Sequence, residues 1–201
     1  SSIDSIEADS DLLDAIADDI RLMPHLHLSL QHGDDLILKR MKRRHSSADA
    51  IDFARRVRDL RPDFAFGADM IAGFPTETEE MATNSARMAE EIGIAHLHVF
   101  PYSPRPGTPA ARMPQHDRAV VKARASALRA VADRLHVAHL ERLIGTRQML
   151  LVERNEMAHT EDFTFVSAPG FTPGTLVEVS IGGHNGRHLT IASATASSAA
   201  A

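Results

Sequence analysis

The sequence predicts an α/β protein: three to four βα units with a parallel sheet over residues 1–144, followed by a small all-β barrel over residues 145–192. Three observations carry this. Up to residue 144, short apolar runs alternate with amphipathic helical patterns, as in βα units feeding a parallel sheet. One long run rich in Ala, Leu and Arg, residues 117–143, then reads as a single helix. Past Gly145, short alternating strands are separated by the turns "APGFTPG" and "GGHNGR", a pattern that closes into a small barrel.

The elements follow in order. Ser2 and Ile3 read as the end of a strand, and a helix over residues 9–21 carries Leu12, Leu13, Ile16 and Ile20 on one face. "HLHLSLQ" is a strand, and "DDLILKRMKRR" opens a helix after Gly33. A helix over 48–60 has Ile51, Ala54, Val57 and Leu60 as its buried stripe and ends ahead of Pro62. The strand "FAFGADMIAG" leads into a helix over 78–91, with Met81, Met88 and Ile92 inward. "AHLHVFPYS" is the next strand, and a proline-punctuated loop runs over 101–114. In the second part the strands are "QMLLVER", "DFTFVSA", "TLVEVSI" and "HLTIA". The small-residue stretch 193–201 reads as a disordered tail.

Composition narrows the function classes. A formal net charge of −5 offers no global attraction for nucleic acid, so any RNA contact must come from a local basic patch. No apolar run approaches the roughly 18 residues of a membrane span, and no leader precedes the first helix; the expectation is a cytoplasmic protein that does not bind membranes. With 0 Cys, disulfides, thiolate zinc sites and cysteine-held iron–sulfur clusters are excluded within these residues.

Several constellations are candidates for chemistry. His25 with His27, and His96 with His98, are two pairs spaced so that both rings of a pair face one side of a strand. Such pairs are the raw material of a metal-dependent barrel hydrolase, but that would also want a Lys or His between them, where the intervening strand offers only Asp69; hydrogen-bonded polar residues on one sheet face are the reading adopted, and no metal site is assigned. "KRMKRRH", residues 39–45, places six chargeable side chains among seven residues directly beyond a strand end, where phosphate or a ligand carboxylate would bind. The acids 77–80 read as a helix start, capped by Thr76 or Thr78. The Gly73-Phe74-Pro75 turn before them suits close approach of a planar ligand. "FPYSPRPGTPA" fixes an extended course with four prolines in eleven residues, too stiff for an ordinary connector.

Taken together, "LHLSLQHGDDLILKRMKRRHS", "GADMIAGFPTETEE" and "HLHVFPYSPRPGTPAARMPQ" resemble the radical S-adenosylmethionine methylthiotransferases that modify tRNA, in particular the branch acting on N6-threonylcarbamoyladenosine beside the anticodon. The match runs in order over residues 1 to about 193, and the β module resembles the TRAM domain of these enzymes, with "HTEDFTFV" where that domain has its substrate-contacting strand. The resemblance implies a radical SAM partial barrel whose third to sixth strands would be "SSID", "HLHLSLQ", "FGADMIAG" and "HLHVFPYS". It implies S-adenosylmethionine across the strand ends, with Gln31 and Arg43 on its polar groups, Ile71 and Gly73 flanking the adenine, and Phe100 to Tyr102 lending backbone contacts. It implies an anticodon stem-loop partner, contacted through Lys39, Lys42, Arg44 and Phe163.

The departures are as informative. The family holds its 4Fe-4S clusters on cysteines, one set on a Cys-x3-Cys-x2-Cys loop, and none is present here. The resemblance therefore implies the C-terminal portion of the enzyme, inactive alone and complemented by a missing N-terminal half. Unpaired strand edges and an apolar inner face would make such a piece prone to self-association. His32 after Gln31 is a minor departure.

Overall fold

A computed structural model describes residues 2–194. The chain forms two compact units, residues 2–22 with 26–135, and residues 23–25 with 136–194. The first unit holds a four-stranded sheet in the order β1 (Ser2–Ile3), β2 (His25–Gln31), β3 (Ala65–Ala72), β4 (His96–Pro101). β1 with β2 and β3 with β4 are parallel pairs, in the register Ser2 with His27 and Asp69 with His98. Its helices are α1 (Ser10–Asp18), α2 (Asp35–Arg40), α3 (Ser47–Leu60) and α4 (Glu79–Ile92); α5 (Arg118–Leu143) contributes its residues up to 135.

Local rules explain the helix ends. Asp9, Asp34, Ser46 and Thr78 each sit in extended backbone and accept the first free amides of the helix that follows. α1 is shorter than its apolar pattern suggests, because Asp19 caps it, and Ile20 lies beyond the end at 89% exposure. In α3 the buried stripe is Ala50, Phe53, Ala54 and Val57, one step round from the expected face, leaving Leu60 exposed. α2 stops after six residues instead of running through the basic cluster. Lys42 takes a left-handed φ of 60°, the amide of Arg43 donates to the carbonyl of Leu38 at 2.9 Å, and that of Lys42 donates to Lys39 at 3.1 Å. This is a Schellman ending with lysine where glycine is usual.

The core lies between one face of the sheet and the helices. Leu26, Leu28 and Leu30 of β2 and Phe66, Ala68 and Met70 of β3 pack against Phe53, Val57, Met88 and Ile92. Gly33 allows α2 to start against α4, since an added Cβ would lie 2.5 Å from the Ser85 Cα. The opposite face carries His27, Ser29, Gln31, Asp69, Ile71, His98 and Phe100, none of them buried. It is largely polar, contrary to the apolar inner face expected, so the hydrophobic ground for self-association is weaker than the sequence suggests.

Glu77 departs furthest from expectation. It precedes α4, is 2% exposed, and does not serve as a surface acid at a helix start. Its Oε2 accepts from the amides of Gly73 at 2.8 Å and Phe74 at 3.1 Å and lies 3.2 Å from His32 Nε2. Its Oε1 makes an ion contact with Arg124 Nη1 at 3.3 Å, and the same guanidinium donates to the Glu77 carbonyl at 2.8 Å. His32, also buried, accepts the Asp34 amide on Nδ1 at 3.0 Å. The residue set aside as a minor departure therefore ties the β2 loop to the β3 loop.

The second unit is a closed five-stranded barrel in the order β5 (Arg147–Val152), β6 (Met157–Thr160), β7 (Phe165–Ser167), β9 (Leu189–Ala194), β8 (Leu176–His184). Its core is Leu140, Leu150, Val152, Ala158, Val166, Val179, Ile181 and Leu189. β6, only four residues long, is not legible as a strand in the sequence. Asp162 to Thr164, read as strand, form a turn in which Asp162 and Thr164 are buried: Asp162 Oδ1 accepts from the Thr160 hydroxyl and the Thr164 amide, and Oδ2 lies 3.2 Å from His139 Nε2. β9 runs to Ala194, two residues into the stretch expected to be disordered; residues 195–201 lie outside the described residues. No helix among the described residues is long and apolar enough to cross a membrane.

Two outcomes are expected. Glu77→Ala leaves Arg124 and His32 buried without their carboxylate and should lower unfolding free energy by about 3 kcal/mol or more, read by urea denaturation. Burial opposes the charge of Asp162, but hydrogen bonds from His139, Thr160 and Thr164 and the attraction of His139 outweigh it, holding the carboxyl well below the usual range. A depressed carboxylate contributes stability that is complete above its unfolded pKa of about 3.9 and is lost as pH falls below it. Melting temperature should therefore fall on acidification below about pH 4, and Asp162→Asn should flatten that slope while lowering stability at neutral pH.

Candidate functional site

Strand ends and the loops behind them build one cleft of about 520 Å³ in the first unit. Gln31 closes β2 with a left-handed φ of 65°, an uncommon conformation for a residue with a side chain, and its Nε2 donates to Ser29 Oγ at 3.3 Å. Ile71 and Phe100 face each other across β3 and β4 at the same level. Tyr102 extends that pairing by one bond, its amide donating to the Ala72 carbonyl at 2.9 Å, and its ring meets Phe74 edge-on at 5.3 Å. The proline-rich loop supplies the far wall through Arg105, Thr108 and Pro109.

The Schellman ending of α2 sets the charge of the cleft. By stopping the helix at Arg40, it turns Lys42 and Arg43 onto the cleft wall together with Arg40. Arg43 Nη1 reaches Ser29 Oγ at 3.5 Å, and Arg40 Nη1 donates to Thr76 Oγ1 at 2.7 Å. Apolar walls from Ile71, Phe74 and Phe100 facing three cations suit a ligand with a flat apolar part and a carboxylate or phosphate. Burial pushes the Tyr102 hydroxyl pKa up, and its oxygen is buried with no hydrogen-bond partner among the described residues.

Five of the six residues expected at a cofactor therefore converge: Gln31, Arg43, Ile71, Phe100 and Tyr102. Gly73 stands apart. Its φ is 77°, its amide is held by Glu77, and an added Cβ would meet Val121 at 2.9 Å, so its missing side chain makes room for α5. Of the residues expected at RNA, Lys42 lines the cleft; Lys39 is exposed outside it, and Arg44 pairs with Glu7 at 2.5 Å. Phe163 belongs to the second unit, 55% exposed, in the turn after β6 with φ of 66°. Arg40, from the basic cluster at the end of α2, and Phe74, from the Gly-Phe-Pro turn, line the cleft as well; Arg105 was not singled out in the sequence, and its only signal was its place in the stiff proline loop.

The two histidine pairs do not assemble as a set of four. Asp69 Oδ1 lies 3.1 Å from both His27 Nε2 and His98 Nδ1, whereas His25 and His96 are outside this cluster. As for iron–sulfur clusters, the donor set is lacking: the 201 residues contain no thiolate, so these residues do not fit a cysteine-held cluster.

Residues 3–89 match the model of the radical SAM superfamily. The chain is 52% identical over 163 residues to the threonylcarbamoyladenosine tRNA methylthiotransferase MtaB of Rickettsia prowazekii (strain Madrid E), covering 81% of this chain and 39% of that protein. It is 36% identical over 179 residues to the tRNA-2-methylthio-N(6)-dimethylallyladenosine synthase of Paracoccus denitrificans (strain Pd 1222), covering 85% and 40%. The chain thus spans about 40% of the length of these curated relatives. Among solved structures, coproporphyrinogen III oxidase of Escherichia coli, described as a radical SAM enzyme, aligns over 94% of this chain and 49% of its own, with TM-score 0.51 and 12% identity, a likeness of fold alone. On the superfamily match and the sustained identity to both relatives, the chain belongs to the radical S-adenosylmethionine tRNA methylthiotransferase family, of the MtaB and MiaB type.

Proposed function

We propose that this chain supplies the S-adenosylmethionine cleft and an RNA-contacting β module of a cytoplasmic tRNA methylthiotransferase acting on N6-threonylcarbamoyladenosine beside the anticodon. The observation that carries the reading is the convergence of Gln31, Arg43, Ile71, Phe100 and Tyr102 on one cleft at the strand ends. Ile71 and Phe100 would take the adenine between apolar surfaces, Arg43 and Gln31 would hold the amino-acid end, and the unpartnered Tyr102 hydroxyl offers one further hydrogen bond. When bound, S-adenosylmethionine would supply the methyl group and the radical chemistry of the family. The threonylcarbamoyl substrate is preferred because the greater identity is to the relative named for it.

Reductive cleavage needs clusters that these residues do not hold, so the chain alone is inactive in this reading and requires a cysteine-bearing polypeptide or segment. For tRNA, Lys42 at the cleft rim offers a phosphate contact, with Lys39 outside it. The β module, read as TRAM-like over residues 145–192, offers a row of rings, the exposed Phe163 and Phe165 with the half-buried His159 and His188, in which His159 and Phe165 are centred 4.1 Å apart and Phe165 and His188 5.7 Å apart. Unpaired bases stack on such rings without regard to sequence. That row also favours a second reading, an RNA-binding module that makes no use of the cofactor cleft.

Two measurements separate these readings. Titration calorimetry with S-adenosylmethionine or S-adenosylhomocysteine should detect binding that Phe100→Ala weakens at least about fivefold, a loss of about 1 kcal/mol, with an unchanged melt. Unaltered affinity would remove the cleft assignment and leave the binding module. Filter binding of an anticodon stem-loop should weaken by about 1–3 kcal/mol in Phe163→Ala, while Lys42→Ala should lower the salt slope by about 1.

A further inference from the structure

We propose that His27, Asp69 and His98 form a binding site for a late first-row divalent metal ion, of the Zn²⁺ or Co²⁺ class, on the inner face of the sheet. The three ligands come from neighbouring strands β2, β3 and β4, with Asp69 and His98 directly opposite in register. Both His27 Nε2 and His98 Nδ1 lie 3.1 Å from one carboxylate oxygen, and the three donor atoms all lie within 4.8 Å of one another. Donors bound at about 2.1 Å to one ion stand about 3.0–3.4 Å apart at octahedral to tetrahedral angles, so the two nitrogen–oxygen separations already match a coordination edge. The nitrogens need only present their lone pairs instead of protons, a change of tautomer in a neutral imidazole.

The alternative is a pair of hydrogen bonds from two imidazoles to one acid, which would explain the spacing equally well. What favours an ion is access. Side-chain exposures of 21%, 32% and 61% for His27, Asp69 and His98 leave one side of the triad open to water or a further ligand. Two imidazoles and one carboxylate, with open positions, are a donor set suited to Fe²⁺, Co²⁺ and Zn²⁺ rather than Mg²⁺ or Ca²⁺. The triad lies two residues below the Ile71–Phe100 pair, about 6.6 Å along the strands, so the ion would sit beneath the floor of the cleft. The proposal does not rest on the function argued above, because Co²⁺ binding reads out with neither S-adenosylmethionine nor RNA present.

The test is titration of the tag-free 201-residue chain with Co²⁺, followed by visible absorption, and then displacement by Zn²⁺. One equivalent should bind with ligand-field bands, and Zn²⁺ should abolish them. His98→Ala, exposed enough to leave the fold intact by circular dichroism, and the near-isosteric Asp69→Asn should each weaken binding at least about tenfold. His188→Ala, a histidine outside the triad, should leave Co²⁺ binding unchanged. Binding that is equally strong in His98→Ala and Asp69→Asn, or no ligand-field bands in the unaltered chain, would overturn the proposal.

Discussion

The carboxylate of Glu77 is the constraint on which the first unit depends. A buried charge is tolerated when polar and charged partners surround it, and here two turn amides and an imidazole converge on Oε2 while the Arg124 guanidinium faces Oε1 as an ion contact. The partners come from four places in the chain: the end of β3, the loop after β2, the turn itself and α5. One side chain therefore fixes the relative positions of the segments whose ends form the cleft. The left-handed Gly73 and the tight Phe74-Pro75 turn follow from it, since the carboxylate holds both amides on the same oxygen. Phe74 is then placed where its ring meets Tyr102.

The charge of the cleft has a separate origin, in where α2 stops. A helix continuing through "KRMKRRH" would distribute its cations around a cylinder. Lys42 in the left-handed region breaks that course, and the wall gains Arg40, Lys42 and Arg43 on one side. His45 secures the segment that follows, buried between Asp4 at 2.9 Å and the Leu30 carbonyl at 3.2 Å. Of the seven-residue cluster, the cleft therefore takes some members, the scaffold takes His45, and Arg44 faces Glu7.

Much of this was legible in the sequence, and what was not has physical reasons. Periodicity located β2, β3, β4 and every α-helix, because apolar spacing directly reflects which face is buried. The stripe of α3 was misjudged by one step, since Phe53 and Ala50 compete with Ile51 and Leu60 for the inward face and only packing decides. Asp162 looked like part of a strand because its neighbours alternate; its role as the centre of a hydrogen-bonded turn depends on His139, distant in sequence. Glu77 looked like a helix-start acid for a similar reason, as Arg124 and His32 are far along the chain. Gln31, Arg43, Ile71, Phe100 and Tyr102 came from motif resemblance; Phe74 and Arg105 lay in stretches that stood out for their turn and proline pattern, but nothing local marked either side chain as a cleft wall.

The polar inner face of the sheet has a consequence for whatever comes to lie against it. A covering surface that was merely greasy would strand the imidazoles of His27 and His98, the Asp69 carboxylate and the Gln31 amide without water, at a cost in desolvation that contact area would not recover. A fitting surface must bring its own donors and acceptors in register with theirs. Recognition across this face is thereby governed by complementarity of polar pattern, which discriminates between partners more sharply than it holds them.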